Sequence, residues 1–225
     1  PPGNVGYFLD GIRVPLLFHV GAGPSVIQPG LVDRVDLYPG GYPARYGRFS
    51  GGIVAGETTP PATEAHGEYN VRLFDAGAMV EVPFANDRAA AMIGGRYSYT
   101  GLLFTLLSND TILNYWDYQA RVHYDLTDRD RVGVFAFGSY DFLGQRTQTD
   151  TLTLFGTDFH RVDLRYDRKI EGGGTMRVAG TLGLDESAVS EGRSVRDRIA
   201  GTRMELTLPL SKRALFRAGT DMQID

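Results

Sequence analysis

The chain has no cysteine. That excludes disulfide frameworks and thiolate metal sites, and it says nothing about redox compartment. Lysine is nearly missing: of 23 basic residues only Lys169 and Lys212 are lysine, the rest arginine. Arginine's planar fork suits fixed ion pairs with carboxylates. An excess of one charge is also lacking, and a formal net charge of -4 argues against a nucleic-acid binder with a basic face. No apolar run approaches the ~20 residues of a transmembrane helix. The longest, from Gly101 to Leu107, is far too short. The opening Pro1-Pro2-Gly3 shows neither the charged nor the apolar region of a signal peptide. Two expectations remain. Either the protein is soluble, or its start lies upstream and any membrane crossing is made of strands, the alternative to helices in a bilayer.

Signatures of catalysis are lacking too. His19, His66, His123 and His160 fall in four segments without metal-ligand spacing. Each reads as a solvated or hydrogen-bonded side chain. No G-x-S-x-G elbow, P-loop or H-E-x-x-H occurs. Ser98, His123 and Asp125 make a weak hydrolase candidate on a strand wall, and nothing in the sequence brings them together. The chain is expected not to be an enzyme, to bind no metal and to need no cofactor.

What is present divides the chain. Residues 58–64, TTPPATE, form a boundary of proline and small polar residues. Residues 1–57 are rich in glycine and proline, with short apolar stretches at 5–9, 30–38 and 52–55. This predicts a small, turn-rich α+β unit, too small for a robust core of its own. Residues 65–225 change to long period-two segments. At 116–126, Trp116, Tyr118, Ala120, Val122, Tyr124 and Leu126 share one face, and Asp117, Gln119, Arg121, His123 and Asp125 share the other. The pattern returns at 175–185 and 214–224. Phe135, Phe137 and Phe159 break the rule by joining the polar face.

The periodicity predicts strands at 67–74, 77–84, 88–98, 115–126, 131–142, 158–168, 174–185, 197–208 and 213–224. Most are of membrane-spanning length, about 9–11 residues or slightly more, against about 5–6 in ordinary sheets. Short links at 85–87, 127–130, 169–173 and 209–212 alternate with long polar ones at 100–114, 143–157 and 186–196. Outer-membrane barrels alternate periplasmic turns and extracellular loops in this way. The link at 75–76 breaks the alternation. The expected fold is mainly β: part of an antiparallel transmembrane barrel meander after a small α+β segment. Val122, Tyr124, Val178, Leu182, Phe216 and Met222 should face out, and Arg121, His123, Arg177 and Arg217 in. The aromatic groups Tyr97/Tyr99, Tyr115/Trp116/Tyr118 and Tyr140/Phe142 suit an interfacial girdle.

Two stretches resemble the plug of TonB-dependent receptors. Residues 7–14, YFLDGIRV, are similar to the family's Y-x-x-D-G-x-x-V. Residues 32–54, VDRVDLYPGGYPARYGRFSGGIV, are similar to I-E-R-I-E-V-x-x-G-x-x-x-x-Y-G-x-x-x-x-G-G-x-I, with aspartate for glutamate on either side of Arg34. Residues 95–99 and 115–120 resemble early barrel strands of the family. Set against it, the chain corresponds to the end of the plug, 1–57, and the first barrel strands, 65–225. The resemblance implies an importer whose plug is remodelled by TonB, with ExbB and ExbD, through a segment outside this chain. It implies contact with outer-membrane lipid and lipopolysaccharide, and uptake of a small scarce ligand such as a siderophore, cobalamin or carbohydrate. The competing reading is a non-transporting surface or adhesin barrel. Asp10, Gly11, Arg34, Gly40, Gly41, Arg45, Tyr46, Gly47, Arg48, Gly51 and Gly52 are expected to anchor the plug. At least one of Arg34, Arg45 and Arg48 should contact a carboxylate, on the wall at Asp117, Asp125 or Asp163, or within the plug at Asp33, Asp36 or Glu57. Residues 30–54 should pack against the polar wall.

Overall fold

The computed structural model describes residues 4–47, 49–101, 110–148, 150–189 and 193–225. Its first part is a four-stranded mixed sheet in the order β2-β1-β4-β3. The strands are β1 (Gly6–Leu9), β2 (Ile12–Arg13), β3 (Val32–Tyr38) and β4 (Ile53–Thr58). β1 and β2 form a hairpin across the Asp10-Gly11 turn, where both residues adopt positive φ, 50° and 85°. β4 runs parallel to β1 and antiparallel to β3. The expected helix in this part is missing: among its described residues the connections hold only 3-10 turns, at His19–Gly21, Pro29–Leu31 and Ala44–Tyr46. The glycine and proline that space this segment favour such turns over a helix interior.

The second part is a nine-stranded sheet in which each strand pairs antiparallel with the next. Its strands are β5 (His66–Val71), β6 (Asp75–Phe84), β7 (Ala89–Ser98), β8 (Thr111–Asp125), β9 (Asp130–Arg146), β10 (Thr151–Ile170), β11 (Gly174–Val189), β12 (Arg193–Ser211) and β13 (Ala214–Ile224). Nine strands agree with the periodicity, and so do the tight turns. The long links do not. β9 and β10 stay paired up to Arg146 and Thr151, and β11 and β12 up to Val189 and Arg193, so two of the expected loops are hairpin extensions. Most of the third, 102–109, lies outside the described residues. β5 ends at Val71, so the first link is 72–74 in place of 75–76. Among the described residues no helix is long and apolar enough to cross a membrane.

The two faces of the wall differ as period two requires. Val122, Tyr124 and Leu182 are exposed on one face, and Arg121 and His123 are buried on the other. Arg177 and Val178 are both half-buried, and on the edge strand β13 Phe216, Met222 and Arg217 are all exposed, so exposure does not separate the faces there. Trp116 stacks on Tyr140 at 5.8 Å on the outward face. Tyr115 corrects the girdle expectation: it points inward, 3% exposed. The main core lies between the two sheets, not within either one. Leu9, Ile12, Val14, Val26, Ile27 and Leu31 pack on Met79, Met92, Phe135, Phe137 and Phe159 of the wall. The phenylalanines that break alternation thus form an apolar seat in an otherwise polar face. A second cluster, Phe8, Tyr46, Ile53 and Ala55, lies inside the small unit.

Candidate functional site

The seat between small sheet and wall gathers the buried polar chemistry of the chain. Around the apolar patch, wall side chains reach the small unit at several points. Gln119 donates to the Val26 carbonyl at 2.9 Å. Arg121, paired with Glu81 at 2.9 Å, donates to Thr58 Oγ1 at 3.0 Å and to the Thr59 carbonyl at 2.6 Å. Arg161 donates to the Arg13 carbonyl at 3.2 Å and pairs with Asp185. Gln119, Arg121 and their neighbour Asp117 alternate along β8, so one strand face supplies three contacts.

His19 sits deepest. Nε2 lies 3.0 Å from Asp117 Oδ2 on β8, and Nδ1 lies 3.0 and 3.1 Å from the carboxylate oxygens of Asp141 on β9. All three side chains are fully buried. The ring stacks on Tyr115 at 4.5 Å, and the Tyr115 hydroxyl donates to Asp75 at 2.8 Å. Arg96 approaches Asp117 at 3.3 Å. Sequence reading treats His19 as one solvated or hydrogen-bonded histidine among four, and it is the hydrogen-bonded case. Its partners lie on two distant strands, so no spacing marks it.

Asp10 is the second anchor. Its carboxylate accepts from Thr58 N at 2.9 Å, from Thr58 Oγ1 at 2.8 Å and from Arg165 of β10 at 3.0 Å. Burial opposes ionisation, but Arg165 and the Thr58 donors outweigh it and hold the carboxyl below its ordinary 3.8. A lowered carboxyl stabilises fully above 3.8 and loses that contribution as pH falls through the folded value. Asp10→Asn is expected to weaken seating by about 1.5–3 kcal/mol at neutral pH. It should also flatten the acid dependence of protease protection over residues 6–58. An acid profile identical to wild type would contradict the assignment. Next to it, a Cβ on Gly11 would stand 1.8 Å from the Arg203 guanidinium, so the turn and β12 approach through this glycine.

The remaining motif residues lie elsewhere. Arg34 pairs with Glu57 at 2.8 Å and Asp36 at 3.3 Å, both in its own sheet and half exposed. Arg45 lies over the Tyr46 ring at 4.9 Å. Arg48 falls outside the described residues. The expected wall partners are taken: Asp117 by His19 and Arg96, Asp125 by Arg131, and Asp163 by Arg165. Segment 9–31, more than 30–54, supplies the apolar contact with the wall. Arg34 and Arg45 line a cleft of about 1100 Å³ between the small sheet and β12–β13. Gly40 and Gly41 stand in open space at an exposed turn, and Gly47 is exposed beyond it. Gly51 is held close, its absent Cβ position 2.3 Å from the Asn4 carbonyl, and Gly52 lies beside Tyr38. Ser98 bonds to Asn114 and to the Tyr115 amide, so it does not meet His123 or Asp125. Among the described residues no group of three or more histidine, aspartate or glutamate side chains is arranged to hold a metal ion.

A mixed sheet seated on the inner face of a long antiparallel meander defines the plugged-barrel class. The fold is that of TonB-dependent siderophore receptors. A ferric enterobactin receptor variant, PfeA of Pseudomonas aeruginosa with enterobactin, superposes with a TM-score of 0.70 at 13% identity over 99% of this chain. The pyoverdine outer membrane receptor FpvA of the same species, bound to pyoverdine, gives 0.71 at 12% identity over 97%. Its siderophore receptor PirA gives 0.51 at 14% identity over 99% of this chain and 50% of its own. The chain spans 42% of the first and 39% of the second, about two fifths of each. No protein-family model matches the sequence, and no curated protein matches it.

Proposed function

We propose that this chain is part of a TonB-dependent outer-membrane receptor, with residues 1–57 in the plug and 65–225 in the barrel wall, and that it imports a ferric siderophore. The observation that carries the reading is the seat itself. A 57-residue unit has its principal core against the wall, at Phe135, Phe137 and Phe159, and fills the polar face that a pore would otherwise line with water. The outward face supports a bilayer neighbour: Val80, Val122, Val134, Val162, Leu164, Leu182 and Met222 are exposed there. Exposed aliphatics in such number on one face belong in lipid, not water. The Trp116–Tyr140 stack then lies at a lipid interface, next to lipopolysaccharide. The likeness to PfeA, FpvA and PirA supports a siderophore ahead of cobalamin or carbohydrate. The Asp10 and Gly11 contacts with β10 and β12 support anchoring for those two motif residues. Coupling to TonB follows from the family resemblance, through a segment outside this chain.

Deleting the gene should abolish uptake of one labelled ferric siderophore by iron-starved cells. The intact gene should restore it, except in a strain lacking TonB. Uptake unchanged across a panel of siderophores, cobalamin and oligosaccharides would overturn the importer and leave a surface barrel.

A further inference from the structure

His19 poses a donor problem with one solution. A neutral imidazole has a single N–H, and a carboxylate only accepts. Yet both ring nitrogens stand at hydrogen-bond distance from carboxylate oxygens, Nε2 on Asp117 and Nδ1 on Asp141. A neutral ring of either tautomer would turn a nitrogen lone pair onto one carboxylate. All three groups are fully buried, so water does not resolve the conflict. The site needs one proton beyond a neutral ring and two carboxylates, and imidazole, ordinarily the stronger base, takes it, so that the imidazolium donates both ways.

The charges around it agree. Asp117 comes from β8, Asp141 from β9 and Asp75 from β6, the last held by the Tyr115 hydroxyl under the ring. Arg96 of β7, on Asp117, is the cation nearest the pair. Without a proton on His19, two cations, Arg96 on Asp117 and Arg72, which acts on Tyr115, face three carboxylates. What the ring holds is the tip 18–25, whose residues Phe18, Gly21, Ala22 and Gly23 are exposed. Val20 sits at φ 52°, an unfavourable region for a β-branched residue, and its N–H donates to Asp141 at 2.8 Å. The same carboxylate therefore fixes both the ring and the strained backbone beside it.

We propose that His19 is a proton-dependent latch: as imidazolium it bridges Asp117 and Asp141 and pins tip 18–25 to the wall, loss of the proton frees the tip, and removal of either carboxylate makes that proton leave at lower pH. The latch deepens the plug reading and rests on it for its purpose, while the contact itself is independent of transport. It is local, because the apolar seat at Leu9, Ile12 and Leu31 holds the rest of the unit. Burial works against the charge, but the two carboxylates outweigh it and raise His19 above its ordinary 6.5. A raised histidine stabilises fully below 6.5 and loses that contribution as pH rises through the folded value.

The test uses the full-length protein in bilayers with Ala22→Cys carrying a nitroxide, since residues 1–225 contain no competing thiol. Spin-label mobility is followed from about pH 5 to about pH 9. Wild type should be immobile at low pH and mobilise with a midpoint above 6.5. Asp141→Asn should lower that midpoint by about one pH unit or more, a tenfold or greater fall in proton affinity. His19→Gln should be mobile at every pH while the wall keeps its strand signal by circular dichroism. Should His19→Gln not assemble, the wild-type and Asp141→Asn midpoints decide. A wild-type tip that never mobilises, a midpoint at or below 6.5, or an Asp141→Asn profile that overlays wild type would overturn the latch. Failure of siderophore uptake would count against the receptor reading and leave these profiles standing.

Discussion

Phe137→Ala is expected to unseat the small sheet at a cost of about 3–5 kcal/mol. Phe137 is fully buried at the middle of the patch, 5.0 Å from the Phe135 ring and 6.0 Å from Phe159. Its removal leaves a hole facing Ile12, Val26 and Leu31, which belong to a different sheet and can close on it only by shifting that sheet. The ladder of β8, β9 and β10 does not depend on this side chain, so the wall should persist. The expected result is therefore selective: residues 6–58 become sensitive to protease and to low denaturant while the wall keeps its strand signal. Phe137→Leu, which retains most of the volume, should lose less. Protection equal to wild type in the alanine variant would mean that the patch does not hold the unit.

Arg161→Ala should approach it in size by another route. Arg161 is 1% exposed, donates to Asp185 at 2.5 and 2.9 Å and to the Arg13 carbonyl, and lies over the Phe159 ring at 5.6 Å. Truncation leaves Asp185, itself part-exposed, without its cation and Arg13 without a donor, so the cost approaches but stays under the about 3–5 kcal/mol of breaking a fully buried pair. Lysine should not restore it, because one ammonium cannot span the carboxylate and the carbonyl with a planar fork. Replacing both Arg161 and Asp185 by apolar residues of similar volume should recover most of the loss. A double-mutant cycle in denaturant reads the coupling. Full stability in Arg161→Lys would show that charge alone is enough.

Much of the wall was legible because one face carries exposed aliphatic side chains and the other carries polar ones that meet the small unit. Where that contrast ends, the signal ends. Residues 143–157 and 186–196 read as loops because their sequence lacks alternation, yet much of them is paired strand. At their far ends these hairpins carry no small-unit contact on one face, so nothing there imposes period two. The polar-face phenylalanines were a readable clue to the seat, since an aromatic that violates alternation must have an apolar neighbour on the wrong side. At least one of the three motif arginines was rightly expected to find a carboxylate, and the register of β3 on β4 delivered Glu57 to Arg34. His19 left no local trace. Its segment is glycine- and proline-rich, and its partners are 98 and 122 positions away.

Those separations also set an order of events. Every pairing in the wall joins strands adjacent in sequence, so the meander can zip hairpin by hairpin with short loops to close. The seat cannot begin so early. Asp117, Asp141 and Arg161 must already stand side by side before His19, Gln119's carbonyl partner Val26 and the Arg13 carbonyl have anywhere to dock. The N-terminal unit, made first on the ribosome, is therefore placed last. Through that interval Leu9, Ile12, Val26 and Leu31, which end up packed on the wall, remain uncovered.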